Sequence, residues 1–328
     1  MRRAQAGLLG AAVLLWGCTA PSEPAGAPSA APSAAPSLHS PAAPLPSGPH
    51  VTLAPAPRAH PDDLRVATAI STVRHLAGRI GPRHATSAAA RRAGRWVAGR
   101  FAALGYDVQR PSFQVPGGVS WGVPVPAGRS VNVVATSGPV DRSRPHVVVG
   151  AHLDTVPQAP GAEDNASGVG VLLAVAEAVA DRRTRLPVVL VAFGAEEPRG
   201  PTDDDHHYGS RAYVTAMGPA ERRALRGMVA LDRVGVGTVL PVCSAGEPDA
   251  LRAELLAAAS RAGVRSSACT GNRASDHWSF ARSGLPGARL GSTPFAGYHS
   301  AGDVLAVVDA AQLRRAGRTV VAWLSRDG

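Results

Sequence analysis

Histidine and carboxylate side chains follow several apolar runs of this 328-residue chain. They are His152 with Asp154, Glu196 with Glu197, Asp232, and His299 with Asp303, while Asp164 precedes an amphipathic segment. Two imidazoles and several carboxylates in one cleft form a ligand set suited to zinc. Because like charges repel one another at short distance, carboxylates gathered in this way need cations between them. The residue types therefore predict a metal centre.

The adjacent glutamates at positions 196 and 197 indicate what such a centre does. Neighbouring residues after a strand point in different directions, so one glutamate can coordinate a metal while the other faces the water bound to it. A metal brings the pKa of that water down to about 7, and a nearby carboxylate is then a competent general base. The pair therefore predicts hydrolytic chemistry.

Strands that alternate with helices must position these groups. We predict strands at residues 106–115, 130–136, 146–151, 186–192, 227–232 and 288–290, and helices at 64–80, 86–104, 168–180, 209–217, 247–262, 275–282 and 309–324. Continuous apolar runs are typical of strands that are buried on both faces. The pattern predicts an α/β fold, namely a three-layer α/β/α sandwich with a central mixed, largely parallel sheet. Open sheets of this kind bind ligands beyond the carboxyl ends of their strands.

The first 17 residues are typical of an export signal. Arg2 and Arg3 precede an apolar run at residues 7–16, which is shorter than the roughly 20 residues that span a bilayer. A small residue before Cys18 resembles a bacterial lipobox, so we expect a lipid on Cys18 and an exported lipoprotein of the cell envelope. Ordinary secretion is the alternative.

Pro, Ala and Ser dominate residues 18–60, a composition that predicts a disordered linker. Residues 61–328 then form the catalytic domain, which we expect to be a monomer. All 34 basic side chains are arginine and they are scattered, so despite a net charge of +10 we expect no nucleic acid as a partner. Cys243 and Cys269 lie in the folded part, where they form either a disulfide or two buried thiols.

Seven segments, in this order, resemble the motifs of M28-type zinc aminopeptidases. They are SVNVVA (130–135), GAHLD (150–154), EDNASGV (163–169), FGAEE (193–197), ALDRVG (230–235), SDHWSF (275–280) and YHSAGD (298–303). The resemblance covers the chain from residue 62 to its end. It implies a co-catalytic di-zinc exopeptidase that hydrolyses N-terminal residues from peptides by means of a metal-bridging water.

The resemblance also implies a ligand set. Asp164 would bridge two zinc ions, of which one is completed by His152 and Asp232 and the other by Glu197 and His299.

Four further residues would assist these ligands. Glu196 would be the general base, and Tyr298 would steady the oxyanion of the tetrahedral intermediate. Asp154 would orient the first metal-binding histidine, and Asp303 would orient the second. The resemblance further implies a cis peptide bond after Asp164.

Two features depart from the family pattern. The loop at residues 198–208 is longer and more polar than usual, and we expect a mobile, charged rim of the cleft rather than an extra ion held by His206, His207 and the aspartates at 203–205. Arg233 occupies a position where a hydrophobic residue is common, and the pattern gives it no role.

Other functions fit the same scaffold. A carboxypeptidase or amidohydrolase would bind a substrate carboxylate, and Arg273, Arg282 or Arg289 could supply the cation. A glutaminyl cyclase works with one zinc, and the complete set of five ligands argues against it. A surface lipoprotein that binds peptides without cleaving them is the alternative outside enzymes, but loss of Glu196 or of a ligand would be its signature, and none is lost.

Overall fold

A central sheet of eight strands organises the computed structural model, which describes residues 55–325. In this part of the chain the strands are β1 Asp107–Gln109, β2 Ser112–Val115, β3 Gly118–Ser120, β4 Val123–Val125, β5 Gly128–Val131, β6 Val133–Thr136, β7 His146–His152, β8 Val188–Phe193, β9 Leu225–Leu231, β10 Leu240–Ser244, β11 Ser266–Cys269 and β12 Gly287–Leu290. The large sheet has the order β1-β6-β8-β7-β9-β12-β10-β11, while β2 pairs with β5 and β3 with β4.

The middle of the sheet is parallel and its margins are mixed. Strands β8, β7, β9 and β12 run parallel to one another, whereas β1, β6 and β10 pair antiparallel with their inner neighbours. Every residue of β7 is buried because helices cover both faces. Val147 and Val149 pack into the larger core, and Val148 packs into the smaller core on the opposite face.

Helices form the two outer layers. They are α1 Val66–Val73, α2 Ala88–Ala103, α3 Gly168–Val179, α4 Tyr208–Ala216, α5 Pro219–Ala224, α6 Ala250–Arg261, α7 His277–Ala281 and α8 Ala310–Leu324. Helices α1, α2, α3, α6 and α8 contribute to the larger core, and α4 and α7 to the smaller one. The predicted three-layer architecture with a largely parallel centre is therefore confirmed.

Two predicted strands are corrected, because each is divided between separate sheets. The predicted strand at 106–115 forms β1 and β2, and the one at 130–136 forms β5 and β6. Asn132 marks the second break, where its side chain donates to the carbonyl of Gly209 (2.9 Å) and accepts from the amide of Gly194 (3.0 Å). The sequence prediction also omitted β3, β4, β10, β11 and α5, which are short and carry weak apolar patterns.

The folded part begins a few residues before position 61, where the prediction placed its start. Ala59 is buried, its amide donates to the carbonyl of Arg183, and the amide of Arg183 donates to Pro57. The predicted signal, Cys18 and the linker up to residue 54 lie outside the described residues. Within residues 55–325, no helix has the length and apolar character to cross a membrane.

A disulfide joins Cys243 to Cys269. The two cysteines are directly paired in the register of the parallel strands β10 and β11. Of the two alternatives that the sequence left open, the structure has the bonded pair.

Candidate metal centre

Three adjacent parallel strands carry polar side chains to one edge of the sheet. His152 ends β7, Glu196 and Glu197 follow the end of β8, and Asp232 directly follows β9. Because β8, β7 and β9 are parallel neighbours, their carboxyl ends meet at the same edge. All four side chains are buried there.

Asp164 lies between two histidines, with one carboxylate oxygen facing each. Its Oδ1 is 3.1 Å from Nε2 of His152, and its Oδ2 is 3.1 Å from Nε2 of His299. The peptide bond between Asp164 and Asn165 is cis, as the resemblance implies. A carboxylate that presents its two oxygens in this way can bridge two cations.

Asp232 and Glu197 extend this arrangement on either side. Oδ1 of Asp232 is 3.4 Å from Nε2 of His152, and Oε2 of Glu197 is 3.5 Å from Nε2 of His299. The sequence-predicted ligands thus lie together in two overlapping sets that share Asp164.

The donor atoms fit divalent metal ions. Among the described residues, Oδ1 of Asp232 and Oε1 of Glu197 are buried without a hydrogen-bond partner. Potential ligand atoms lie within 4.8 Å of one another in two groups, His152–Glu196–Asp232 and His152–Asp164–Glu197. Buried imidazole and carboxylate donors at this spacing are typical of zinc sites.

Charge is concentrated in this cluster. Burial and the charges of Asp164 and Glu196 raise the pKa of Glu197 well above its ordinary value. Burial acts in the same direction on Asp164, but contact with His152 and His299 outweighs it and holds the pKa of Asp164 well below its usual range. A bound cation would offset both the burial and the repulsion that raise the pKa of Glu197.

Glu196 is held by its own set of contacts. Its Oε1 is 3.1 Å from Nε2 of His207, and the charges of His152 and His207 overcome the effect of burial and lower the pKa of Glu196. The carboxylate form is therefore favoured, as a general base requires. The sequence prediction missed this contact because His207 was assigned to a mobile rim, whereas the residue is buried.

The two aspartates expected to orient histidines bind backbone amides instead. Asp154 accepts from the amides of Glu196 (3.0 Å) and Glu197 (3.3 Å), and its distance of 3.9 Å from Nδ1 of His152 is too long for a hydrogen bond. Asp303 accepts from the amides of Glu163 and Asp164 rather than from His299. Both carboxylates therefore fix the backbone that carries the site.

An aromatic wall covers one side of the cluster. The ring of Tyr298 stacks on that of His299 with centroids 3.6 Å apart, and Trp121 meets the same imidazole edge-on at 4.3 Å. Trp121 lies in the turn between β3 and β4 and is 53% exposed. The sequence prediction missed it, and its only signal is a tryptophan beside a glycine in a chain with few aromatic residues.

The cavity between these residues has a volume of about 240 Å³. Besides the residues already described, its walls include Arg233, Arg273 and Arg289. Of the arginines considered for a substrate carboxylate, Arg289 forms an ion pair with Asp232 (2.9 Å). Arg282 pairs with Asp204 at the surface and is not part of the wall.

The loop at residues 198–208 forms no separate metal group within the described part of the chain. His206 and Asp203 line the cavity, and the potential metal groups found in residues 55–325 all include His152. Asp276, in the SDHWSF motif, is fully buried near this loop, and burial together with the charge of Glu196 raises its pKa to about 7. The sequence prediction gave this aspartate no role.

The sequence of this chain is similar to those of known peptidase-family proteins. The sequence profile of Peptidase family M28 matches residues 132–324. The chain is 31% identical over 173 residues to the uncharacterised protein YfbL of Escherichia coli, and 30% identical over 167 residues to aminopeptidase YwaD of Bacillus subtilis. These matches cover 50% and 49% of this chain but only 48% and 35% of the two relatives.

Solved structures share the fold at lower identity. A zinc aminopeptidase, BSAP of Bacillus subtilis, superposes with a TM-score of 0.70 at 19% identity, over 79% of this chain and 94% of the other. The glutaminyl cyclase of Porphyromonas gingivalis superposes with a TM-score of 0.67 at 21% identity, over 80% of this chain and 98% of the other. The architecture is therefore common to aminopeptidases and cyclases.

Proposed function

The chain belongs to peptidase family M28, and we propose that it is a zinc-dependent exopeptidase that releases the N-terminal residue of peptides. The position of Asp164 carries the proposal, since its two oxygens each face one histidine at 3.1 Å. This geometry supports two zinc ions, of which one would be held by His152 and Asp232 and the other by Glu197 and His299, while Asp164 would be a ligand of both.

Zinc, when bound, polarises the scissile carbonyl and lowers the pKa of a water to about 7. Glu196 takes the proton of the attacking water on its carboxylate and later passes it to the nitrogen of the leaving amine. His207, 3.1 Å from Oε1 of Glu196, keeps that carboxylate in place. The free α-amine of the substrate binds among the carboxylates of the cavity, which restricts cleavage to the first residue.

Tyr298 assists at the carbonyl oxygen. Burial raises the pKa of its phenol above the ordinary value, so the hydroxyl keeps its proton at neutral pH. A protonated phenol beside His299 can donate a hydrogen bond to the oxyanion that forms during attack.

The test is metal content together with hydrolysis of aminoacyl-p-nitroanilides before and after chelation. We expect about two zinc ions per chain, activity that is lost on chelation and restored by zinc, and no cleavage of N-acetylated substrates. Asp164→Asn should lose metal and activity, while the exposed Asp181→Asn serves as the matched control.

Other results would redirect the assignment. Release of C-terminal residues from blocked peptides would replace the aminopeptidase with a carboxypeptidase. Cyclisation of N-terminal glutamine without hydrolysis would indicate a glutaminyl cyclase. A chain that binds no metal would be a peptide-binding protein.

We also propose that the protein is exported and anchored by a lipid on Cys18, on the basis of the signal-like residues 1–17. Expression in a bacterial host with labelled palmitate tests this. The full chain should carry label and sediment with membranes, and Cys18→Ala should remove both properties. An unlabelled wild-type chain in the medium would favour ordinary secretion.

A further inference from the structure

Arg233 has a backbone that is fixed on both sides. It directly follows Asp232 and has a positive φ of 55°. Its amide donates to Oδ1 of Asn165 (3.3 Å), and its carbonyl accepts from the amide of Ser292 (3.0 Å). Gly291 permits this approach, because a Cβ there would lie 2.5 Å from the carbonyl oxygen of Arg233.

The side chain of Arg233 is held as well. Its Nη2 donates to Oγ of Ser292 at 2.7 Å, and its guanidinium carbon lies 4.4 Å from the ring centroid of Tyr298. A cation over an aromatic face is stabilised by the ring quadrupole. Because Tyr298 stacks on His299, the guanidinium has a defined place beside the candidate metal centre.

Among the described residues, the guanidinium of Arg233 forms no direct ion pair. Within residues 55–325, no carboxylate lies within 4.0 Å of its guanidinium nitrogens, whereas Arg289 in the same wall pairs with Asp232 at 2.9 Å. Arg233 therefore presents a cation to the cavity in a pre-organised position, which reduces the entropy lost when an anion binds.

The charge of the whole cavity favours the same kind of ligand. Its lining holds five carboxylates and three guanidinium groups. Two divalent ions would more than offset this difference and make the loaded cavity positive. Arginine is also the side chain best suited to bind a carboxylate through two parallel hydrogen bonds.

We propose that Arg233 binds a carboxylate of the substrate and so makes this enzyme selective for substrates that carry a carboxylate close to the scissile bond. The inference rests on the proposed exopeptidase function. The carboxylate belongs either to an acidic N-terminal side chain or to the C-terminus of a very short peptide. Arg233 acts as a specificity residue and leaves the hydrolytic step to Glu196 and the metal centre.

Matched substrate pairs test the proposal on the zinc-loaded full chain. Glutamyl- and glutaminyl-p-nitroanilide differ only in a side-chain carboxylate, while Leu-Gly and Leu-Gly-amide differ only in the terminal one. In the pair whose carboxylate is recognised, Arg233→Gln should raise KM of the member with the carboxylate about 10- to 100-fold. KM of the member without it, and kcat of both, should stay nearly unchanged. Arg233→Lys should restore part of the loss, and Arg92→Gln, an exposed arginine of α2, should have no effect.

Calorimetric binding of glutamic acid α-amide and glutamine α-amide, and of Leu-Gly and Leu-Gly-amide, provides a readout without turnover when it is measured on Glu196→Gln chains with and without Arg233→Gln. If wild type hydrolyses no substrate but Arg233→Gln weakens binding of only the carboxylate ligands, the exopeptidase proposal fails and carboxylate recognition stands. If Arg233→Gln affects acidic and neutral members equally, or wild type does not discriminate within either pair, the proposal for Arg233 is wrong.

Discussion

The carboxylate of Asp303 binds the backbone that carries Asp164. Its two oxygens accept hydrogen bonds from the amides of Glu163 (2.6 Å) and Asp164 (3.0 Å). Asp303 follows the last histidine of the site, so one side chain ties the His299 segment to the central carboxylate. Its task is therefore to fix the place of Asp164 relative to both histidines.

Asp303→Asn should weaken zinc binding by about 10- to 100-fold, the usual effect of losing a group that orients a ligand. The amide would turn a donor toward one of the two backbone amides and leave that amide unpaired. Competition with a chromogenic chelator measures the affinity. Asp309→Asn is the matched control. Asp309 is the N-cap of α8, and asparagine is as good an N-cap as aspartate. Equal affinity in both variants would contradict a positioning role for Asp303.

Glu196→Gln should lower kcat by about 100- to 10,000-fold, since the amide cannot accept the proton of the attacking water. Zinc content measured by mass spectrometry should stay near that of wild type. Glu221→Gln, in which the half-buried partner of Arg142 outside the cavity is neutralised, should keep full activity. A Glu196→Gln enzyme with wild-type turnover would remove Glu196 from the role of base.

Trp121→Ala should raise KM for substrates with an apolar first residue about tenfold, the equivalent of 1.4 kcal/mol, because the exposed indole forms a wall of the cavity. Zinc affinity and kcat should change little. Trp96→Ala provides the control. Trp96 does not line the cavity, and its ring stacks on that of His75 with centroids 4.2 Å apart. An unchanged KM in Trp121→Ala would show that the β3–β4 turn does not contact substrate.

The double variant Cys243→Ala/Cys269→Ala should lower the free energy of unfolding by about 3 kcal/mol, because the bond closes a loop between cysteines 26 positions apart. Urea titrations with and without dithiothreitol measure the effect. Reductant should destabilise wild type and leave the double variant unchanged. A wild type that is insensitive to reductant would argue against a contribution of this bond to stability.

His277 should make the fold sensitive to acid. Burial, aided by the charge of Arg289, lowers the pKa of His277 to about 3 in the folded state. Between pH 6.5 and 3 only the unfolded chain takes up this proton, so stability is present at neutral pH and falls as the pH decreases. By pH 4 this effect lowers the free energy of unfolding by about 3 kcal/mol.

Urea titrations of wild type and His277→Asn at pH 7 and pH 4 isolate this contribution. From pH 7 to pH 4 the free energy of unfolding of wild type should fall by about 3 kcal/mol more than that of the variant. Parallel losses in wild type and His277→Asn would refute the prediction.

Sequence reasoning located the polar groups of the site because the chain marks them locally. His152, Glu196, Glu197 and Asp232 each follow an apolar run, and such runs become the parallel strands β7, β8 and β9 whose carboxyl ends share one edge. Strand periodicity and burial are properties of short segments, so they can be predicted without knowledge of distant contacts.

The partners of these groups were decided by the tertiary structure. Asp154 and Asp303 bind backbone amides rather than histidines, and His207 contacts Glu196 from the loop at residues 198–208. Trp121 reaches His299 from a short turn more than 170 positions earlier in the chain. Such contacts depend on the packing of segments that are far apart in sequence, and no local sequence pattern predicts that packing.

Two of the three arginines of the cavity, Arg233 and Arg289, show the same division. The sequence places Arg233 beside Asp232 and Arg289 in an apolar strand, yet it does not reveal which cation is neutralised. Only the folded chain pairs Arg289 with Asp232 and sets Arg233 over Tyr298 with its charge available. The sequence by itself predicted the parallel strands β7, β8 and β9, the polar residues that follow them and the cysteines available for a bond. The tertiary structure decided which charges meet, because an ion pair depends on separations of a few ångströms between segments far apart in the chain.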